Sequence, residues 1–177
     1  MKVDAAISKL DEFDNKGFYV FHKRDLRRLF FKDTDTAFKQ SVMRLVKRGI
    51  LERPAKSVYV YARSKHKGHR TIEKIASALR KYEYNYISLE SALSEYGAIS
   101  QIPIDRLTVM TTGRKGTFKT SYGIIEFTHT KRTAISIIDN TVKADHPLRM
   151  ATLETAFRDL KRVGRNIDMV DRHAFGT

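Results

Sequence analysis

The chain has no cysteine, and that absence removes disulfides, thiolate zinc sites and a cysteine nucleophile together. It also agrees with a reducing, cytoplasmic home. Long apolar runs are missing as well. No stretch approaches the roughly 18 apolar residues that a membrane-spanning helix needs. The opening MKVDAAISKLDEFDNKG alternates charged and apolar residues and lacks the continuous apolar core of an export signal. The expectation is a soluble, unexported protein with no membrane partner. Six histidines are present but form no ligand set. His66 and His69 are three apart in a basic stretch that disfavours a bound cation, and His22, His129, His146 and His173 stand alone. Neither a metal nor a cofactor is expected.

What the chain does have is positive charge, unevenly spread. It carries a net +14 over 177 residues. The first 70 residues hold 18 Lys and Arg against 8 Asp and Glu, a balance of +10, and the remainder holds 16 against 12, a balance of +4. A field of this sign attracts polyphosphate and does not build a core, so it bears on partners more than on fold. With 41% hydrophobic residues there is enough apolar surface for one medium domain or two small ones.

In the basic segment Val3, Ala6, Ile7, Leu10 and Phe13 recur at helical spacing, and Gly17 stops that helix. Phe18, Tyr19, Val20 and Phe21 form a short extended run. A second helix runs through HKRDLRRLFF, with Leu26, Leu29 and Phe30 inward and Lys23, Arg24, Arg27 and Arg28 outward. A third is capped by Thr34 or Asp35, each able to accept from an unpaired backbone N–H. It buries Phe38, Val42, Leu45 and Val46 on one stripe. Its other face reads Thr36, Lys39, Gln40, Met43, Arg44 and Lys47. Gln and Arg match the paired donor and acceptor groups of adenine and guanine edges, and Lys and Thr suit phosphates. After Gly49 a hairpin follows, with Arg53, Pro54, Ala55, Lys56 and Ser57 at its turn.

Three helices and a hairpin with a cationic tip are the order of a winged helix-turn-helix. The expected organisation is α+β: a winged helix over residues 1–63, a basic linker over 64–71 (RSKHKGHR and its surroundings) able to lie on phosphates, and a mixed α/β domain over 72–177. In that last part Ile72, Ile75, Ala76 and Leu79 predict a helix. Ser88 caps a short one ending at Gly97, residues 107–112 and 124–128 read as strands with a turn at 121–123, and MATLETAFRDLKRVG closes as a helix.

Three stretches of the second half, YISLESALSEYGAISQIP, LTVMTTGRKGTFKTSYGIIEFTH and MATLETAFRDL, resemble the AbiEi-type antitoxins of bacterial abortive-infection toxin–antitoxin systems. The upstream winged helix sits where that family keeps its own. The segment AISIIDNTVKADHPL fits the family loosely. The resemblance implies a phage-defence operon of two genes, whose antitoxin represses its own promoter through the winged helix. The C-terminal domain then neutralises a nucleotidyltransferase-like toxin, commonly without a stable complex. By position it implies double-stranded promoter DNA as partner, contacted by the 39–47 helix and the Lys56 turn, and two copies on operator repeats. The full set of expected DNA contacts is Arg24, Arg27, Arg28, Thr36, Lys39, Gln40, Arg44, Lys47 and Lys56, with Arg114, Lys115 and Lys119 as an antitoxin surface.

Other chemistry is thinner. Asp105, Glu126, His129 and Lys131 form the best catalytic set for a nucleic-acid-processing enzyme, but their spacing matches no metal-dependent nuclease signature. On a hairpin such residues are usually the solvated face. Thr112-Gly113-Arg114-Lys115-Gly116 lacks the GxxxxGK[ST] pattern and opens no helix, so it reads as a turn. Tyr82, Tyr84 and Tyr86 alternate, a pattern that serves either as a stacking platform for single-stranded RNA or as the start of a packed element. No enzymatic activity is expected.

Overall fold

The computed structural model describes residues 1–100 and 105–176. The end of the first resembling stretch, 101–103, lies outside the described residues. The fold is α+β, and the chain divides into two compact units, Met1–Thr71 and Ile72–Thr177.

The first unit runs α1 (Val3–Asn15), β1 (Val20–His22), α2 (Lys23–Leu29), α3 (Asp35–Lys47), β2 (Leu51–Ala55) and β3 (Val58–Tyr61). The strands form an antiparallel sheet in the order β1-β3-β2, with Val20 opposite Val60 and Leu51 opposite Tyr61. Leu10 of α1, Leu26 of α2, Phe38 and Leu45 of α3, and Val58 and Val60 of β3 are buried. Such burial stabilises by roughly 1.5–3 kcal/mol per side chain and fixes which helix faces turn outward. Local signals agree with the packing. Thr34 Oγ1 accepts from Ala37 N at 3.3 Å and caps α3. Asp25 accepts from His22 N at 3.1 Å while His22 Nδ1 accepts from Arg24 N at 3.3 Å, which closes the start of α2. The order of elements and their pairing are those of a winged helix-turn-helix.

The segment expected as a linker is instead folded onto this unit. Asp14 falls on the inward stripe of α1 and is buried, so it needs a donor, and Ser64 Oγ donates to it. His66 stacks beside Tyr19, whose hydroxyl shares a hydrogen bond of 3.0 Å with Thr71 Oγ1. Lys67 pairs with Glu52 at 2.8 Å.

The second unit contains α4 (Thr71–Leu79, its first residue shared with the unit boundary), β4 (Asn85–Ile87), α5 (Leu89–Glu95), β5 (Arg106–Thr111), β6 (Gly116–Thr120) and β7 (Gly123–His129). It continues through α6 (Ala134–Asp139), β8 (Thr141–Val142), β9 (Arg149–Ala151) and α7 (Leu153–Val163). Its sheet has the order β6-β7-β5-β4-β9-β8. The hairpin expected across residues 121–123 is present, with Phe118 opposite Ile125. Periodicity did not reveal that β7 also lies beside β5, parallel to it, with Leu107 opposite Ile125 and Val109 opposite Phe127. All four side chains are buried, and this register puts them on one face of the sheet. Gly123 makes the entry of β7 possible. Its φ is +121°, and a Cβ there would stand 2.4 Å from the Asp105 carbonyl oxygen, which accepts from Ile124 N at 2.6 Å.

Two local expectations are corrected, and of the two readings left open for the tyrosine run Tyr86 takes the packed one. The last helix starts at Leu153, capped by Thr152, because Met150 and Ala151 are taken by strand pairing with β4 and β8. Ser88 occupies the N-cap position of α5 but its side chain does not cap; it donates to Asp159 at 2.9 Å. Tyr86 belongs to no exposed platform. It is fully buried in β4, and its hydroxyl donates to Asp159 at 3.2 Å.

Asp159 is thus a hub. Besides those two hydroxyls it receives Arg132 Nη1 at 2.7 Å, and the same nitrogen donates to Tyr86 Oη at 2.6 Å. Its side chain is 1% exposed. The cluster joins α7, β4 and the chain just after β7. Removing one partner strands a buried charge, so Asp159→Ala should destabilise the protein by about 3–5 kcal/mol. Urea unfolding followed by circular dichroism checks this, and an unchanged midpoint would contradict it.

Candidate nucleic-acid interface

The helix expected to read DNA presents the expected face. Thr36, Lys39, Gln40, Met43, Arg44 and Lys47 of α3 are all exposed, opposite the buried Phe38, Ser41, Val42 and Leu45. Val46 is half-buried. Among the described residues, no neighbouring side chain engages Lys39, Gln40, Arg44 or Lys47 in a hydrogen bond or ion pair. Unspent donors on one helix face are what a phosphate or base edge requires.

The wing turn docks on the start of α2, where Lys23 N donates to Ser57 O at 2.7 Å. That contact brings exposed Lys56 to the same end of the unit as Lys23 and Arg24, both exposed. Lys23 was absent from the expected contact set. Only the pairing of β1 with β3, His22 opposite Val58, reveals its position beside the wing.

The three arginines of α2 separate. Arg24 is exposed near the wing. Arg28 lines a cleft of about 380 Å³ between α1 and α2, with Lys9, Phe13 and Phe31. Arg27 is half-buried and engaged by its neighbours. Its Nε pairs with Asp35 at 3.1 Å, its Nη1 donates to Phe30 O at 3.3 Å, and its guanidinium lies 5.5 Å from the centre of the Phe38 ring. It therefore clamps the turn between α2 and α3, a role that helical phase could not distinguish from phosphate binding.

In the second unit Arg114 and Lys115 are exposed on the turn between β5 and β6. Lys119 is exposed further along β6, on the face opposite Phe118, because successive side chains alternate. The three therefore do not form one cluster. The candidate catalytic set is not brought together either. Asp105 precedes β5 and His129 ends β7 opposite Thr111, so the two stand at opposite ends of the sheet, about 20 Å apart at the strand rise. His129 Nδ1 contacts Gly113 O at 2.8 Å. Glu126 is held in an ion-pair network, with Arg106 at 2.7 Å and Arg165 at 2.5 Å. Among the described residues no group of three or more His, Asp or Glu could hold a metal ion, and no helix is long and apolar enough to cross a membrane. No protein-family model and no curated protein matches the chain.

The Glu126 network extends to Glu90, which receives Arg165 Nε at 2.7 Å and Asn166 Nδ2 at 2.9 Å. Burial pushes the Glu90 carboxyl up, but the hydrogen bonds from Arg165, its own backbone and Asn166 outweigh it and hold it below the ordinary 4.5. A lowered folded-state value means that the stability contributed is present above the unfolded value and lost as pH falls through the folded one. Wild-type stability should therefore decline below pH 4.5 more steeply than that of Glu90→Gln. Denaturant titrations across that range check the prediction, and parallel pH profiles would contradict it.

Proposed function

We propose that this protein is the DNA-binding antitoxin of a bacterial two-gene toxin–antitoxin system. In this reading the winged helix represses its own promoter and the second unit neutralises a nucleotidyltransferase-like toxin without catalysing a reaction itself. The observation that carries the DNA half is the exposed α3 face, with Lys39, Gln40, Arg44 and Lys47 unengaged by neighbouring side chains beside a cationic wing. The antitoxin half rests on the resemblance of residues 86–103, 107–129 and 150–160 to AbiEi-type proteins, with Arg114, Lys115 and Lys119 exposed in its most specific stretch. Phage defence and a cytoplasmic home belong to the same reading.

Mechanistically, α3 enters the major groove, where Gln40 and Arg44 have the paired geometry for adenine and guanine. Met43, 71% exposed between them, suits a thymine methyl. Lys39, Lys47, Arg24 and Lys56 hold phosphates. Two copies on operator repeats give cooperative repression.

A mobility-shift titration on the protein's own upstream DNA, against a scrambled duplex of equal length at two salt concentrations, tests the reading. Preference for the upstream DNA should survive the higher salt; equal, salt-labile binding to both would overturn it. Neutralising about six phosphates gives a slope of log affinity on log salt of roughly −5. Arg44→Ala should weaken the cognate site by about 1–3 kcal/mol and relax one base preference, whereas Lys47→Ala should weaken all sequences alike and flatten the slope by about 1. Arg27→Ala should lower the unfolding midpoint and leave the slope unchanged. Co-expression with the product of the neighbouring gene should restore growth, and a growth arrest that persists would reject the antitoxin half.

A further inference from the structure

At the end of the second sheet where β4 starts and β5 finishes, two loops are locked side by side. Thr112 N donates to Tyr84 O at 3.0 Å, Tyr84 N donates to Thr112 Oγ1 at 3.1 Å, and that hydroxyl donates to Glu83 at 2.8 Å. Arg80 donates from Nε and Nη2 to Arg114 O at 3.2 and 3.0 Å, while its guanidinium lies 4.7 Å from the centre of the Phe127 ring. Space is tight as well: a Cβ on Gly113 would stand 2.8 Å from Glu83 Cγ. The turn read in sequence is therefore tied down by hydrogen bonds to the 80–84 segment.

Its outer surface has a particular chemistry. Tyr82 and Tyr84 are 63% and 57% exposed, and Arg114 and Lys115 are exposed beside them, flanked by exposed Lys81 and Lys131. The carboxylate in these loops, Glu83, is occupied by Thr112. Burial pushes the Arg80 guanidinium below its ordinary value; Glu83 opposes that shift, and the like charge of Arg114 adds to it. Arg80 is turned to the Arg114 carbonyl and the Phe127 ring, so the cations this surface offers outward are Arg114 and Lys115. Exposed rings next to cations suit a strand whose bases are unpaired, because bases can stack on the rings while phosphates meet the cations. A duplex keeps its base faces stacked internally and leaves such rings without a partner.

We propose that this end of the second unit binds single-stranded nucleic acid, with bases stacked on Tyr82 and Tyr84 and backbone phosphates on Arg114 and Lys115. The surface belongs to the second unit, whereas α3 and the wing belong to the first, and it does not depend on the promoter reading.

The test is fluorescence anisotropy of the full chain with labelled oligouridylate and oligothymidylate, in a background of Lys39→Gln, Arg44→Gln and Lys47→Gln that silences the first unit. Tyr82→Ala with Tyr84→Ala should weaken binding at least about tenfold, since each stacked base contributes substantially. Replacing both by Phe should keep affinity within about twofold of the parent. Arg114→Gln with Lys115→Gln should weaken binding and flatten its salt dependence. Tighter binding of oligouridylate would assign RNA, and tighter binding of oligothymidylate would assign DNA. Unchanged affinity in the alanine pair, with its thermal melt intact, would overturn the proposal. So would equal losses in the alanine and phenylalanine pairs. In the otherwise wild-type chain the tyrosine replacements should leave the promoter shift unaltered, so failure here and failure of the repressor reading are distinguishable.

Discussion

A single buried carboxylate organises the second unit. Asp159 projects from α7 into the space above β4, where water cannot satisfy it, and it is paired there with Arg132 and with the hydroxyls of Tyr86 and Ser88. Tyr86 and Ser88 come from β4 and the residue just after it, and Arg132 comes from the segment after β7. The helix, the central strand and the segment leaving β7 are thereby fixed to one another by directional bonds as well as apolar contact. Ser88 gives up its ordinary capping role to take part, and the neighbouring Leu89 holds a φ of +57° at the start of α5. Polar geometry at this point outweighs local helix chemistry.

The first unit handles charge differently. Apart from Asp14 and a few hydroxyls its core is apolar, and its cations stay at the surface, where Arg27 is the instructive case. By clamping Asp35, Phe30 O and the Phe38 ring, Arg27 fixes the angle at which α3 leaves the turn. That leaves the next helix face free to carry Lys39, Arg44 and Lys47 with no neighbour neutralising them. Holding several like charges together on a folded surface is unfavourable unless a counterion or polyanion compensates. This physical tension is what the proposed DNA contact would relieve. The same logic, with exposed aromatic rings added, distinguishes the platform of Tyr82, Tyr84, Arg114 and Lys115.

Much of this was legible without coordinates, and the reasons are local. The inward stripe of α3, the Thr34 cap and the outward Lys39-to-Lys47 face all follow from helical period and the chemistry of an orphan N–H. Failures came where a distant partner decided. Residues 64–71 read locally as a basic linker, but Asp14, buried on α1, needs a donor, and Ser64 supplies it. Met150 and Ala151 have helical neighbours and helical propensity, yet strand pairing with β4 and β8 claims them. Tyr86 alternates with Tyr82 and Tyr84 in sequence but shares neither their exposure nor their role.

The sequence by itself determined where charge accumulates, which helix faces are apolar and how the first unit's elements follow one another, because these depend on composition and on periods of a few residues. Only the tertiary structure decided that β7 runs parallel to β5, that Asp105 and His129 stand at opposite ends of a sheet, and that Arg27 is spent while Arg44 is not. Those outcomes rest on pairing between residues far apart in the chain, where burial requires each polar group to find a partner that no local pattern names.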